Sequence, residues 1–259
     1  MVTFDIESPS NRRIVDTAKL KKRRRRETTG RFLIEGTREV ERALDAGLLF
    51  DDVFIAPDLV APNTAPLVNR IAAAEAALTT VSNTAFAKLS MRQGPDGIVA
   101  VAPTWDTDLD DLQSEIVLVA EGIEKPGNLG AMLRTADAVG AALLIADPTV
   151  DPFNPNVVRA SQGALFSVPF AIAPTTRAVK WCRSHGKTVV ATPDAKRYYW
   201  GVSLSGPVSI VIGAEHEGVS DAWASVGTPI KIPMSGAADS LNASVAAALV
   251  LFEAARQRI

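Results

Sequence analysis

V-S-I-V-I-G-A-E-H-E-G-V-S (208–220) and I-K-I-P-M-S-G-A-A-D-S-L-N (230–242) are two apolar runs that each stop abruptly at small and polar residues. The first reads as a strand ending at Gly213-Ala214-Glu215, where a residue without a Cβ lets the backbone come close to a ligand. The second ends at Pro233, and Ser240-Leu241-Asn242 then opens the last helix. Two such strand ends side by side make a pocket lined by main-chain donors and acceptors. That arrangement is how α/β proteins bind nucleotide-like cofactors.

Outward from that stretch, the carboxy-terminal half alternates apolar strands with helices. Ile116–Ala120 is a continuous apolar run, as in a parallel strand buried on both faces. A helix is expected from Leu129 to Val139, closed by Gly140, and the next strand is Ala141–Ala146. Helices are expected at 154–166 and 176–185, and extended segments at 168–172, 188–191, 208–212 and 230–232. A final helix runs from Leu241 to Arg258. Strands alternating with helices argue a parallel sheet covered on both sides.

The amino-terminal hundred residues read as a smaller α/β domain. A basic helix is expected from Arg12 to Glu27, broken at Thr28-Thr29-Gly30. Strands follow at 31–35, 53–56, 78–81 and 97–101, with helices from Thr37, over 67–77 and over 84–89. The acidic, turn-rich Pro103–Gln113 reads as a linker. The expected domains are therefore 1–102, a linker at 103–114, and 115–259.

With 259 residues, 47% of them hydrophobic, the chain can bury a sizeable core. One cysteine, Cys182, excludes an internal disulfide and fits a reducing cytoplasm. There is no secretory signal and no apolar stretch of membrane-spanning length. Two histidines and one cysteine are too few for a zinc site, so no metal is expected. The net charge of −2 hides an asymmetry. Residues 1–31 hold ten Lys/Arg against four Asp/Glu, a surplus of six, which leaves the rest at −8. A basic head, with Lys21, Lys22, Arg23, Arg24, Arg25 and Arg26 at its centre, suggests a polyanionic partner such as RNA. The alternative is a solvated helix face.

Several site signatures are absent. No G-x-G-x-x-G follows a strand, and no G-x-S-x-G elbow occurs. Residues 213–220 have P-loop glycine spacing, but Val219 stands where the phosphate-binding Lys belongs. Taken singly, Asn128 and Ser240 read as helix caps, Arg134 as a surface arginine, and Glu215 as a loop carboxylate. Asn242 is harder to dismiss, because Asn is a poor helix former.

Taken together, three segments resemble the three motifs of the SpoU/TrmH branch of the SPOUT RNA methyltransferases. They are E-K-P-G-N-L-G-A-M-L-R-T-A-D-A-V-G-A (124–141), V-I-G-A-E-H-E-G-V-S (211–220) and I-P-M-S-G-A-A-D-S-L-N-A-S-V-A (232–246). R-F-L-I-E-G-T-R-E-V-E-R-A-L (31–44) resembles, more loosely, the substrate-binding domain of rRNA-modifying members. The resemblance implies an α/β fold whose second domain carries a deep trefoil knot, and a homodimer with each site completed across the interface. It implies S-adenosyl-L-methionine contacted by Gly213, Ile232 and Leu241, and methylation of a ribose 2′-hydroxyl. The catalytic set it implies is Asn128, Arg134, Glu215, Ser240 and Asn242. His216 stands where members carry Gly or Asn.

The family assigns deprotonation of the hydroxyl to the residue at Arg134. Guanidinium is always protonated, so a cation that binds a neighbouring phosphate and stabilises the alkoxide is the preferred role. Asn128 is then expected to orient Arg134, Glu215 to hold the arginine or its loop, and Ser240 and Asn242 to position ribose and cofactor. The extra amino-terminal domain favours 23S rRNA as substrate. The alternatives are a tRNA 2′-O-methyltransferase, a non-catalytic RNA-binding protein, and a small-molecule methyltransferase, which the basic head disfavours.

Overall fold

A computed structural model of the chain describes residues 4–74, 76–237 and 239–259. They divide into two compact units, residues 1–105 with 151–166, and residues 106–150 with 167–259.

The first unit begins with α1 (Arg12–Ala18), capped by the Asn11 side chain, and α2 (Arg23–Thr29), which ends at Gly30 in the left-handed conformation. A 3-10 turn (Lys19–Lys21) and an extended Lys22 separate them, so the single basic helix expected over 12–27 is two short ones. The break has a physical cause. Leu20 is buried, and the carbonyls of Leu20 and Lys21 each accept a bond from the Arg26 guanidinium, at 2.8 and 2.9 Å. Arg26 also pairs with Asp151 at 2.7 Å.

The chain continues through β1 (Arg31–Glu35), α3 (Thr37–Asp45), β2 (Asp52–Ile55), α4 (Ala65–Ala73), β3 (Ala77–Thr80), α5 (Asn83–Leu89) and β4 (Ile98–Pro103). Their sheet has the order β1-β4-β2-β3, antiparallel except between β2 and β3. Its core includes Ile14, Leu33, Phe54, Phe86 and Val99.

The second unit holds β5 (Ile116–Glu121), α6 (Pro126–Val139) and β6 (Ala142–Ala146). The next stretch, 151–166, clusters with the first unit, although the sequence reading kept it with the second domain. It carries α7 (Pro155–Ser161), stopped at Gln162 and Gly163 by positive φ angles of 51° and 96°. A single helix over 154–166 was therefore too long. Phe153 supplies the anchor: its ring lies 5.0 Å from Phe32 and 4.8 Å from Trp105.

The chain then returns through β7 (Phe170–Ala173), α8 (Thr175–His185), β8 (Lys187–Ala191), β9 (Arg197–Tyr198), β10 (Val208–Ile212), β11 (Thr228–Lys231) and α9 (Ala243–Arg256). The sheet order is β7-β6-β5-β10-β8-β11-β9, and every neighbouring pair is parallel. β5 and β10 lie at its middle, and every residue of both is buried. This is the reason their sequences are largely apolar rather than alternating, with Ser209 and Glu121 as their buried polar residues.

The acidic segment after Pro103 is not a free tether from residue 106 onward. Leu109 is fully buried, Thr107 accepts a bond from the Ile172 N–H, and Asp108 and Asp110 pair with Arg177. Among the described residues, no helix is long and apolar enough to cross a membrane.

Candidate active site

The parallel register puts the carboxyl ends of β5, β8, β10 and β11 on one side of the sheet, where a parallel α/β fold takes its ligands. Two features meet there: a hollow and a polar cluster.

The hollow is walled by Ala191, Thr192 and Pro193 after β8, by Ile212, Gly213, Ala214 and Glu215 after β10, and by Ile232 and Met234 after β11. Asp239, Ser240 and Leu241 close it before α9. Gly213, Ile232, Ser240 and Leu241 thus all line the hollow. The Ala191–Pro193 wall was missed in the sequence. Its signal was there, an apolar strand that stops at Thr192-Pro193 as the other two stop at Gly213 and Pro233.

The glycine at 213 has a structural use in its own loop. A Cβ there would collide with the Gly218 carbonyl. The backbone folds back on itself, with Gly218 N–H donating to Ala214 O at 3.0 Å and Gly218 at φ 70°. Gly213 therefore closes its own loop tightly.

The polar cluster centres on Glu215. Asn128, in the first turn of α6, donates its amide to Glu215 Oε1 at 2.7 Å. Asn242 donates to the same oxygen at 2.9 Å and to Asn128 Oδ1 at 3.0 Å. Lys125 pairs with Glu215 Oε2. Lys125 first, and then Asn128, hold the Glu215 carboxyl below the ordinary carboxylate range. Glu215 thus gathers donors from Lys125, Asn128 and Asn242. Asn242 is the N-cap of α9, its Oδ1 accepting from Ser244 N–H at 2.9 Å. The expected helix start at Leu241 was two residues early, because the capping geometry puts the first helical residue at Ala243.

A second carboxylate, Glu121 at the end of β5, is buried and ties the same loop. It accepts from the Ser220 N–H and hydroxyl at 2.9 and 2.7 Å and from the Thr175 hydroxyl at 3.0 Å. Glu121 carries no distinguishing residue pattern in the sequence, whereas Lys125 lies within the 124–141 motif segment without a role of its own assigned there.

Arg134 stands apart. It is exposed on α6 and bonded to none of the described side chains, so Asn128 does not orient it and Glu215 does not hold it. Six residues along a helix is roughly 240° of rotation, which turns Arg134 away from the face that Asn128 presents to Glu215. Ser240 is exposed at the mouth of the hollow. His216 is exposed beside Glu215.

The basic head divides. Lys22, Arg23, Arg24 and Arg25 are exposed. Arg26 is only 2% exposed and saturated by Asp151 and two carbonyls, so it is a strut of the first unit and no phosphate reaches it. Lys21 is half-buried, its ammonium bonded to the Lys88 and Ser90 carbonyls. Burial lowers its pKa. Among the described residues, no group of three or more His, Cys, Asp or Glu is placed to hold a metal ion.

A parallel sheet with a hollow at its strand ends, walled by three loops and flanked by a carboxylate–carboxamide cluster, defines a ligand-binding α/β protein of the nucleotide-cofactor type. The family model of the SpoU rRNA methylase family matches residues 115–252, and that of the MRM3-like substrate-binding domain matches 11–100. The chain belongs to the SpoU rRNA methylase family. It is 30% identical over 250 residues to the 23S rRNA (guanosine(2553)-2′-O)-methyltransferase RlmP of Bacillus subtilis, covering 95% of this chain and 97% of that one. Its fold is similar to a crystal structure of an RNA 2′-O ribose methyltransferase, with TM-score 0.85, 43% identity and 98% of each chain covered. It is also similar to the AdoMet-bound rRNA methyltransferase of Sinorhizobium meliloti, with TM-score 0.88, 29% identity and coverage of 98% and 99%.

Proposed function

We propose that this protein transfers a methyl group from S-adenosyl-L-methionine to a ribose 2′-hydroxyl of 23S rRNA. The observation that carries the reading is the convergence of three motif segments on one strand-end site: Asn128, Glu215 and Asn242 in one hydrogen-bonded cluster beside the hollow.

The hollow suits the cofactor's chemistry. Ile212, Ile232, Met234 and Leu241 offer apolar surface for a flat ring, and the loop backbone at Gly213 offers amide groups. Asp239 and Ser240 at the mouth match hydroxyl and ammonium groups. S-adenosylmethionine, when bound, supplies a methyl group on a positively charged sulfur.

The chain's own residues supply positioning and charge. The Glu215 cluster fixes the 213–220 loop against α6 and α9, which holds the hollow's wall in place. Arg134 binds a phosphate next to the target ribose and stabilises the developing oxyanion as the hydroxyl proton passes to solvent water. Exposed Lys22 to Arg25 contact RNA phosphates. On this reading residues 1–102 serve substrate binding and 115–259 catalysis.

The reading includes a homodimer and the trefoil knot of the family. Two features support a second copy. α9, packed on α6, leaves Val245, Leu249 and Phe252 exposed, a stripe at helical spacing. Arg134, free of any described partner, is available to complete a neighbour's site. The protein then works in the cytoplasm, where its RNA is.

Mapping of ribose methylation by mass spectrometry in rRNA and tRNA, with and without the gene, tests the proposal. Loss of one 2′-O-methyl mark in 23S rRNA is expected. Loss of a tRNA mark instead, or of none, overturns the substrate.

A further inference from the structure

A third feature of the second unit lies outside the hollow and the cluster. β9 is the edge strand beyond β11, and it leads into Lys196-Arg197-Tyr198-Tyr199-Trp200. Tyr198 and Trp200 are 44% and 50% exposed, yet their rings are stacked, with centroids 5.0 Å apart and planes inclined by 19°. Tyr199 sits edge-on to Trp200 at 4.9 Å, and the Lys231 ammonium lies 5.5 Å over the Tyr198 ring.

The segment is held rigidly. Gln257 of α9 donates to the Val202 carbonyl at 3.1 Å and accepts from the Leu204 N–H at 2.7 Å, and Leu204 is fully buried. Exposed rings fixed in one arrangement lose little freedom when they take a partner.

Beside the rings runs a groove whose lining includes Lys187, Arg197, Ser203 and Thr228, and no carboxylate among the described residues. Lys187 spends two of its three ammonium protons on Ser203 Oγ and Ser205 O. Arg197 pairs with no carboxylate among the described residues. The site therefore offers flat apolar faces at one end and cationic donors at the other. A double helix hides its base faces, but an unpaired strand presents both a face to stack and a phosphate to bind.

We infer that the outer face of Trp200, backed by the stacked Tyr198 ring, is a stacking platform for an unpaired RNA base, with the Lys187–Arg197 groove taking the adjoining phosphates. β9 pairs with β11 as Ile230 to Arg197 and Lys231 to Tyr198, and the next residue, Ile232, lines the hollow. The platform thus lies one strand from the proposed methyl-transfer site and would hold nucleotides flanking the target. The inference rests on the RNA methyl-transfer reading for its biological sense, but not for its test.

The test is binding of the full-length protein to a labelled single-stranded oligouridylate and to a blunt RNA duplex, read by fluorescence anisotropy without cofactor. Trp200→Ala and Tyr198→Ala are each expected to weaken single-strand binding roughly tenfold and duplex binding far less. Trp200→Phe should stay within about twofold of wild type, because the stacking face is kept. Arg197→Ala should lower the salt slope of binding by about one. Both ring variants binding the single strand like wild type, with unchanged melting temperature, overturns the inference. So does a shift of those variants to a smaller species in sedimentation with strand affinity intact, since the rings would then belong to a contact between copies. Strand binding that follows these expectations in a protein that removes no methyl mark when deleted would sink the methyl-transfer reading and leave the platform standing.

Discussion

Glu215 collects three donors on its two oxygens, from two places in the chain: Lys125 and Asn128 around the start of α6, and Asn242 at the start of α9. Asn242 does two jobs at once, since its oxygen caps α9 while its amide serves Asn128 and Glu215. Asp at this position keeps the cap but loses both donated bonds and sets a carboxylate against Glu215. Asn242→Asp is therefore expected to melt within a few degrees of wild type, yet lose methyl transfer by at least tenfold. Asn242→Ala removes the cap as well and is expected to cost about 1 kcal/mol of stability. Thermal melts with a tritium-transfer assay separate the two. Equal loss of activity and stability in both variants would reduce Asn242 to a cap.

At the scale of elements, the basic head and α9 make opposite points about charge. Arg24 and Arg25 lie exposed on α2, whereas Arg26 of the same helix is buried against Asp151. Replacing Arg24 and Arg25 with Ser should leave stability nearly unchanged while weakening RNA binding and flattening its salt dependence. Arg26→Ala strands Asp151 and two carbonyls, and is expected to destabilise the protein by about 3–5 kcal/mol. Denaturant unfolding and anisotropy read the difference. In α9, the Arg256 guanidinium, with Gln257 beside it, draws the Glu253 carboxyl down from its ordinary 4.5 to about 2. A depressed carboxylate stabilises the fold above its unfolded pKa and loses that contribution as pH falls toward its folded one. Glu253→Gln should therefore flatten the stability profile between about pH 4.5 and 2, and leave its shape unchanged at neutral pH. An acid limb as steep as that of wild type would exclude the pair as its source.

At the scale of the molecule, the proposed homodimer decides whether Arg134 acts at all. Phe252→Asp places a charge in the exposed stripe of α9 and is expected to give a monomer by sedimentation, with methyl transfer lost and the fold retained. The stronger test is complementation. If Arg134 serves the partner's site, mixing Arg134→Ala and Asn242→Asp subunits rebuilds one intact site in each mixed dimer. Random exchange should then restore about a quarter of wild-type activity. No recovery, with exchange verified by mass, means that Arg134 works within its own subunit or not at all.

Much of this was legible in the linear sequence because its causes are local. Apolar runs at 116–120 and 208–212, the second interrupted only by Ser209, announce strands buried on both faces, and their abrupt polar ends announce a ligand-binding edge. Motif segments at 124–141, 211–220 and 232–246 named the family before any coordinate. The features that escaped depend on which distant residues meet. Arg26 is indistinguishable in sequence from Arg24 and Arg25, and only Asp151, 125 residues away, makes it a buried strut. Asn128 looked poised to hold Arg134, six residues along, but its amide has one direction to point, and helix geometry spends it on Glu215. Nothing in the sequence singles out Tyr198 and Trp200; the edge strand stacks them in the open. Sequence by itself determined the periodicities, the charge distribution and the motif order. The tertiary structure alone decided which polar groups share a partner, because burial and hydrogen-bond direction are properties of the packed chain and not of any single stretch of it.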